Sequence, residues 1–321
     1  MKQISLATSG FELVTKRTRK RVFLDEMSLV VPWRQLVGLI QPFAPMGTGV
    51  KGGRPTFAVE TMLRIHFLQQ WFGLSDPAME EALHDTPLYC EFARLDAGMA
   101  RLPDETTILR FRHLLEAHQL AGPMLAAINA LLRSNGLMLR AGTVVDATLI
   151  SAPTSTKNAS GERDPEMHQS RKGNQWYFDM KAHIGADAQS GLVHTVIGTA
   201  ANIHDVTQGN ALLYGDESDV FGDAGYQGAA KRDDAGPARW HVAMRPGKRR
   251  ALELSRKSQA LVDDIERTKA SIRAKVEHPF RVIKQQFGFA KVRYRGLAKN
   301  TAQLTTLFAL SNLWMVRHRL E

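Results

Sequence analysis

Apolar residues recur at helical spacing through the first part of the chain and alternate with polar ones through much of the remainder. Between Thr56 and Phe72 they fall at Phe57, Met62, Ile65, Leu68 and Phe72, a stripe that predicts a helix. Asp76 followed by Pro77 reads as an N-cap with proline at the first helical position, ahead of Ala78-Met79-Glu80-Glu81-Ala82-Leu83. Asp104 caps a third helix through His118, with Ile108, Phe111 and Leu115 on its apolar face. Pro123 to Asn135 makes a fourth, stopped by Gly136. The gap from Thr86 to Pro103 is longer than a tight turn, so 76–118 fits a helix-turn-helix poorly.

From Gly142 the period shortens. Thr143–Thr148 reads as a strand, and Trp176–Ala186 and Leu192–Thr199 as two more, joined through the hairpin signal Asp187-Ala188-Gln189-Ser190-Gly191. Asp205–Tyr214 predicts a short helix capped by Asp205. Asp219–Gly222 and Trp240–Met244 predict strands, Ser255–Phe287 a long helical stretch and Asn300–Arg317 a closing helix. Lys181 and His183 alternate with Met180, Ala182 and Ile184, which places them on a solvated sheet face. Residues 151–175 form the one long polar segment, read either as a surface loop or as a loop that orders against a ligand. The division expected is an all-α domain over 1–140, then an α/β domain over 141–321 built on a mixed five-stranded sheet.

Composition narrows the class. The 321 residues are 44% hydrophobic and 23% charged, as in globular proteins, and the net charge of +10 points to a polyanionic partner. No apolar run approaches the roughly 20 residues a membrane span needs, and Met1-Lys2-Gln3-Ile4 does not open a secretory signal. Cys90 is the single cysteine, which excludes an intrachain disulfide and fits a reducing cytoplasm. Basic runs occur at Lys16-Arg17-Thr18-Arg19-Lys20-Arg21, Lys248-Arg249-Arg250 and Lys291-Val292-Arg293-Tyr294-Arg295. The first run, with Arg110 and Arg112 on the third helix, supplies candidate contacts to nucleic acid.

Three acids carry the candidate chemistry. Asp146 follows the apolar run Thr143-Val144-Val145, and Asp223 follows Val220-Phe221-Gly222. Glu277 lies in the long helical stretch with Lys284 seven positions on, and Arg273 and Arg281 four residues to either side. An Asp at a strand end is often only a turn-former or cap. Carboxylates from separate elements can also hold hard cations beside a phosphate, while Arg273 and Lys284 position its backbone. Pro279 breaks the helical rule beside Glu277, should push His278 from helical dihedrals, and predicts a kink or a new helix start.

Several segments resemble bacterial insertion-sequence transposases of the InsH-type, insertion sequence five branch. They are Val144-Val145-Asp146-Ala147-Thr148, Gly173-Asn174-Gln175-Trp176-Tyr177, Lys181-Ala182-His183-Ile184-Gly185, Ala201-Asn202-Ile203-His204-Asp205 and Gly222-Asp223-Ala224-Gly225-Tyr226. The stretch around Glu277 is similar to that group's Tyr, Arg, Glu, Lys signature at Arg273, Glu277 and Lys284, with Ala270 where the tyrosine belongs. The resemblance implies an RNase H-like catalytic domain, an order of elements that the predicted strands and helices also match. It implies Asp146, Asp223 and Glu277 as metal ligands, two magnesium ions or manganese in their place, and cleavage of terminal inverted repeats followed by joining to target DNA. It further implies a nucleoid-associated protein acting as a dimer on DNA. A nuclease that cuts without joining, and a non-catalytic DNA-binding regulator descended from such an enzyme, are the alternatives.

Overall fold

The computed structural model describes residues 17–45, 55–96, 101–139, 142–253 and 255–320. The chain divides into two compact units. One runs to Ile128 and includes the chain end from Val316; the other is Asn129–Met315.

The first unit is helical. Its elements are α1 (Arg19–Val30), α2 (Trp33–Ile40), α3 (Val59–Phe72), α4 (Asp76–Asp85), α5 (Pro87–Ala93) and α6 (Glu105–Ala117), with α7 (Ala121–Ser134) following. Helix α3 is its axis and is buried almost all round, polar residues included. Arg64 is tolerated there because Nε donates to Glu60 Oε1 at 2.9 Å and Nη1 to Phe92 O at 3.1 Å. Its guanidinium also lies 4.0 Å from the Trp33 ring centre. Asp104 caps α6 as expected, its Oδ1 accepting from Thr107 N at 2.7 Å. Asp76 does not cap α4: Ser75 does, through Ala78 N, and Asp76 instead accepts from Gln69 and Arg112. The gap after Thr86 contains the unpredicted α5, started by Pro87.

The second unit is built on a mixed sheet of β1 (Thr143–Ser151), β2 (His168–Lys172), β3 (Gln175–Asp187), β4 (Val193–Ala200), β5 (Asp219–Gly222) and β6 (Arg239–Val242). It has six strands where the sequence predicts five; β2 is the addition. The order runs β2-β3-β1-β5-β6, with β4 also on β3. β3 is antiparallel to β1, β2 and β4, whereas β5 is parallel to both β1 and β6. The hairpin from β3 to β4 is fixed by Asp187, whose Oδ1 accepts from Gln189 N and Ser190 N. Asn312 ties β4 to the closing helix, α11 (Leu297–Val316). Its Oδ1 accepts from Val193 N and its Nδ2 donates to Val193 O.

The polar stretch after β1 is not loose. Arg295 Nη1 donates to Ser160 Oγ at 2.7 Å, and Gly296 N and Leu297 N donate to Asp164 and Glu166 at 2.6 Å each. Two carboxylates therefore stand at the N-terminus of α11, where the helix dipole favours them.

After the short α8 (Pro246–Arg250), the long helical stretch comes in four pieces: α9 (Lys257–Arg273), a 3-10 turn Ala274–Val276, α10 (Glu277–Arg281) and a π-turn Val282–Gln286. Pro279 has no N–H for the turn before it, and the chain responds by tightening upstream and widening downstream. His278 stays helical, contrary to expectation, and Glu277 opens the new segment.

Candidate active site

Strand register brings two of the three acids together. β1 and β5 run parallel with Thr143 opposite Val220 and Val144 opposite Phe221. Asp223 follows directly on the end of β5, and its charge bears on Asp146 two residues beyond Val144 in β1. Beyond Gly222 the chain turns at once into a 3-10 turn, Ala224–Tyr226, which Asp223 caps by accepting from Gly225 N at 2.8 Å. Asp146 Oδ1 accepts from Ala147 N at 2.8 Å.

Burial pushes the Asp146 carboxyl up to about 7, against the pull of the Ala147 N–H. The charges of Asp223 and Glu277 push it further the same way, and Arg273 opposes them. The third acid and the arginine of the last signature therefore both bear on Asp146. Lys284 reaches β1 itself, donating to Thr148 Oγ1 at 2.6 Å and Leu149 O at 3.0 Å. The π-turn intervenes between Glu277 and Lys284, so the two do not share one face of an unbroken helix.

Asp205 does not cap a helix. It opens a single 3-10 turn, Asp205–Thr207, that has no side-chain cap bond, and a second turn, Asn210–Leu212, replaces the rest of the predicted helix. Its carboxylate accepts from Lys181 Nζ at 2.9 Å and lies 3.8 Å from His183 Nδ1. Lys181 and His183 are consequently not on a solvated face. His183 is completely buried, its Nε2 lies 2.8 Å from Thr199 Oγ1, and burial pulls it down to about 4 against the charge of Asp205. Tyr226 is also completely buried and its hydroxyl has no hydrogen-bond partner. Burial, then the charges of Asp205, Asp146 and Asp223, hold that phenol protonated, which makes it a poor nucleophile.

The basic candidates separate by environment. Lys16 lies outside the described residues. Arg17 pairs with Asp25 at 2.6 Å, and Arg21 grips both Glu91 oxygens at 2.9 and 2.7 Å. Lys20 donates to Tyr89 Oη at 3.0 Å and lies over the Phe72 and Tyr89 rings. Arg19 and Arg110 are exposed. Arg112 is only 8% exposed and bridges Asp76 and Glu116, so its guanidinium is committed to the helical fold and is not a groove contact.

The donor set at Asp146, Asp223 and Glu277 is all carboxylate oxygen, the chemistry of a hard divalent cation. Arg273 is the cation whose charge opposes them at Asp146, so a bound cation would relieve the repulsion that raises that carboxyl. Among the described residues no three His, Cys, Asp or Glu side chains are gathered closely enough to grip a metal ion between them. The acids form an open cluster, which suits magnesium, an ion commonly held by one or two carboxylates with substrate phosphates completing the shell.

No helix among the described residues is long and apolar enough to cross a membrane. No solved structure matches the chain. A family model described as Transposase domain (DUF772) matches residues 12–114. A second, described as Transposase DDE domain, matches residues 138–313, which takes in β1, β5 and the broken helix with all three acids. With more than half its length inside that second match, the chain belongs to the DDE transposase family.

Proposed function

We propose that this transposase binds the terminal inverted repeats of an insertion sequence, cleaves to free 3′-hydroxyl ends, and joins those ends to target DNA. The observation that carries the reading is that Asp146 on β1 lies under the charge of Asp223, one residue past the end of the neighbouring parallel strand β5, and of Glu277 from the broken helix. At the family level the chemistry is metal-dependent DNA cutting. Two magnesium ions, or manganese in their place, would neutralise charge on the attacking and leaving oxygens of an in-line displacement. Asp146, Asp223 and Glu277 would hold them. Asp146 must surrender its proton to do so, and Arg273 favours that loss. Lys284, fixed against Thr148 and Leu149, and Arg273 would hold the phosphate backbone beside the acids. Water attacks in the first step and the freed 3′-hydroxyl in the second, so one set of carboxylates serves both.

The antiparallel β3 and the parallel β1, β5 and β6 support an RNase H-like core for residues 141–321. The helical part, 1–140, would recognise the ends and assemble a homodimer on DNA, since two ends must be brought together. Among its candidate contacts Arg19 and Arg110 are exposed, with Lys16 and Arg17 beside Arg19 in sequence. A supercoiled donor carrying the cognate ends, incubated with magnesium, tests the reading. Joined product is expected; cut ends alone would make the chain a nuclease, and bound but intact DNA a regulator.

A further inference from the structure

The basic run Lys291–Arg295 and the polar stretch after β1 have no part in the acid site, yet the fold joins them at the end of the strand that carries Asp146. Lys291 forms a parallel bridge with Ser151, and Val292 N donates to Ser151 O at 2.9 Å. Ser151 is five residues beyond Asp146 on β1, about 17 Å along a strand. Ser151 also pairs with Asp179 of β3, which leads back through Phe178 and Trp176 into the β2–β3 hairpin. Arg163 links the two sides: its guanidinium lies 5.4 Å from the Phe178 ring centre, and its carbonyl accepts from Arg295 Nη2 at 3.4 Å.

Val292 is buried, whereas Lys291, Arg293 and Arg295 are exposed, as are Arg163 and Arg171. None of these five cations is ion-paired among the described residues. Three are held instead by uncharged oxygens: Arg163 on Thr154 O at 3.0 Å, Arg171 on Gly173 O at 3.0 Å and Arg295 on Ser160 Oγ at 2.7 Å. Of the three acids between Ala152 and Met167, Asp164 and Glu166 accept from Gly296 N and Leu297 N, which leaves Glu162 against five cations. Exposed arginines elsewhere in the same unit do find acids: Arg256 meets Glu253 at 2.8 Å and Arg267 meets Asp263 at 2.9 Å. Trp176, across the hairpin from Arg171, is 62% exposed, and a bare indole is a contact surface that water serves poorly. Oriented, unneutralised cations beside an exposed indole suit a chain of phosphates and sugars.

We propose that this surface is a DNA track leading the duplex away from the acids, with Lys291, Arg293, Arg295, Arg163 and Arg171 on phosphates and Trp176 packed on the sugars between them. At about 3.4 Å of rise per nucleotide, those phosphates lie about five nucleotides or more from the bond that is cut. The inference rests on the DNA-cutting reading above.

The test is the salt dependence of binding of the full chain to a fluorescein-labelled duplex carrying the cognate end and its flank, read by anisotropy in EDTA. Lys291→Gln with Arg293→Gln, whose side chains form no hydrogen bond among the described residues, should lower the slope of log affinity against log salt by about 1.8, as each lost phosphate contact takes about 0.9. Arg256→Gln with Arg267→Gln removes the same charge from ion-paired positions and should leave the slope nearly unchanged. Trp176→Ala should weaken binding several-fold with no change of slope, because no charge is lost. An unchanged slope in the first pair, or an equal fall in the second, overturns the track, and wild-type affinity in Trp176→Ala removes the hairpin from it. Normal cleavage and joining by the first pair with a wild-type slope would sink the track and keep the reading above. A slope that falls in a chain that never cuts DNA would do the reverse.

Discussion

Arg112 in the helical unit and Asp146 in the sheet unit are both charged side chains taken largely out of water, and their surroundings treat them oppositely. Arg112 is met by Asp76 at 2.9 Å and Glu116 at 2.8 Å, and Arg64 in the same unit is met by Glu60 and two aromatic faces. Asp146 is met by two more carboxylates and opposed by the charge of one arginine. In the first unit, charges close on one another and hold helices together. Around Asp146 in the second, negative charge is gathered and left for something outside the chain to neutralise. A buried ion contributes to a fold when its partner is present, and serves chemistry when the partner has yet to arrive.

The largest effect that sharpens this contrast is on catalysis. Asp146→Asn, Asp223→Asn and Glu277→Gln keep side-chain size and remove the oxygen charge a hard cation requires. Each is expected to lower both cleavage and joining by about a thousandfold or more, the scale of losing charge stabilisation in a transition state. End binding should hold, and none of the three variants should be less stable than wild type. Strand transfer at near wild-type rate in any one variant would remove that residue from the site.

Arg112→Met should do the reverse. It leaves Asp76 and Glu116 without their buried cation, at a cost of about 3 kcal/mol or more in denaturant unfolding. Cleavage by the fraction that remains folded should be unchanged. A stable Arg112→Met protein that fails to bind ends would return this arginine to the DNA-contact set.

These two residues also mark what the sequence could reveal. That Asp146 and Asp223 end apolar runs is legible, because the runs themselves become β1 and β5, which pair in parallel. Asp104 and the hairpin at Asp187–Gly191 were legible because caps and turns are local. Arg112 and Asp205 were not, because their meaning comes from partners 36 and 24 residues away. An arginine on a helix reads as an outward cation until Asp76 is known to face it. Asp205 before a short apolar run reads as a cap until Lys181 is brought across from β3. β2 was missed since its residues are polar and carry no alternation, and the breaks around Pro279 were foreseen in kind but not in extent.

The pH dependence of stability gives a smaller, signed test. The Asp146 carboxyl, ordinarily near 3.8, is raised to about 7, so between those values the native protein binds a proton that the unfolded chain has released. Metal-free protein should therefore lose stability as pH rises from about 4 to about 7. Asp146→Asn removes that loss and should be the more stable protein at pH 8 in EDTA, by a few kcal/mol at most. Near pH 4 the difference should vanish. A variant less stable than wild type at pH 8 would mean that the acid is compensated within the fold, as Arg112 is.

The smallest expected effect concerns the basic run Lys16–Arg21. Replacing Lys16, Arg17, Arg19, Lys20 and Arg21 with Gln should lower the salt slope of DNA binding, since each phosphate neutralised adds about 0.9 to it. The pairing in the helical unit says the five will not contribute equally. Arg21 is clamped on Glu91 and Lys20 lies between Tyr89 and Phe72, so Gln at either should lower melting temperature and leave the slope nearly unchanged. Arg19 is exposed, and Arg19→Gln alone should take about one unit from the slope. If Lys20→Gln and Arg21→Gln shift the slope as much as Arg19→Gln does, DNA must draw them from Tyr89 and Glu91, and charge in the helical unit is less closed than its geometry indicates. If none of the five shifts it, the run belongs to the fold and to solvent, and the positive charge that meets DNA lies elsewhere, first of all on Arg110.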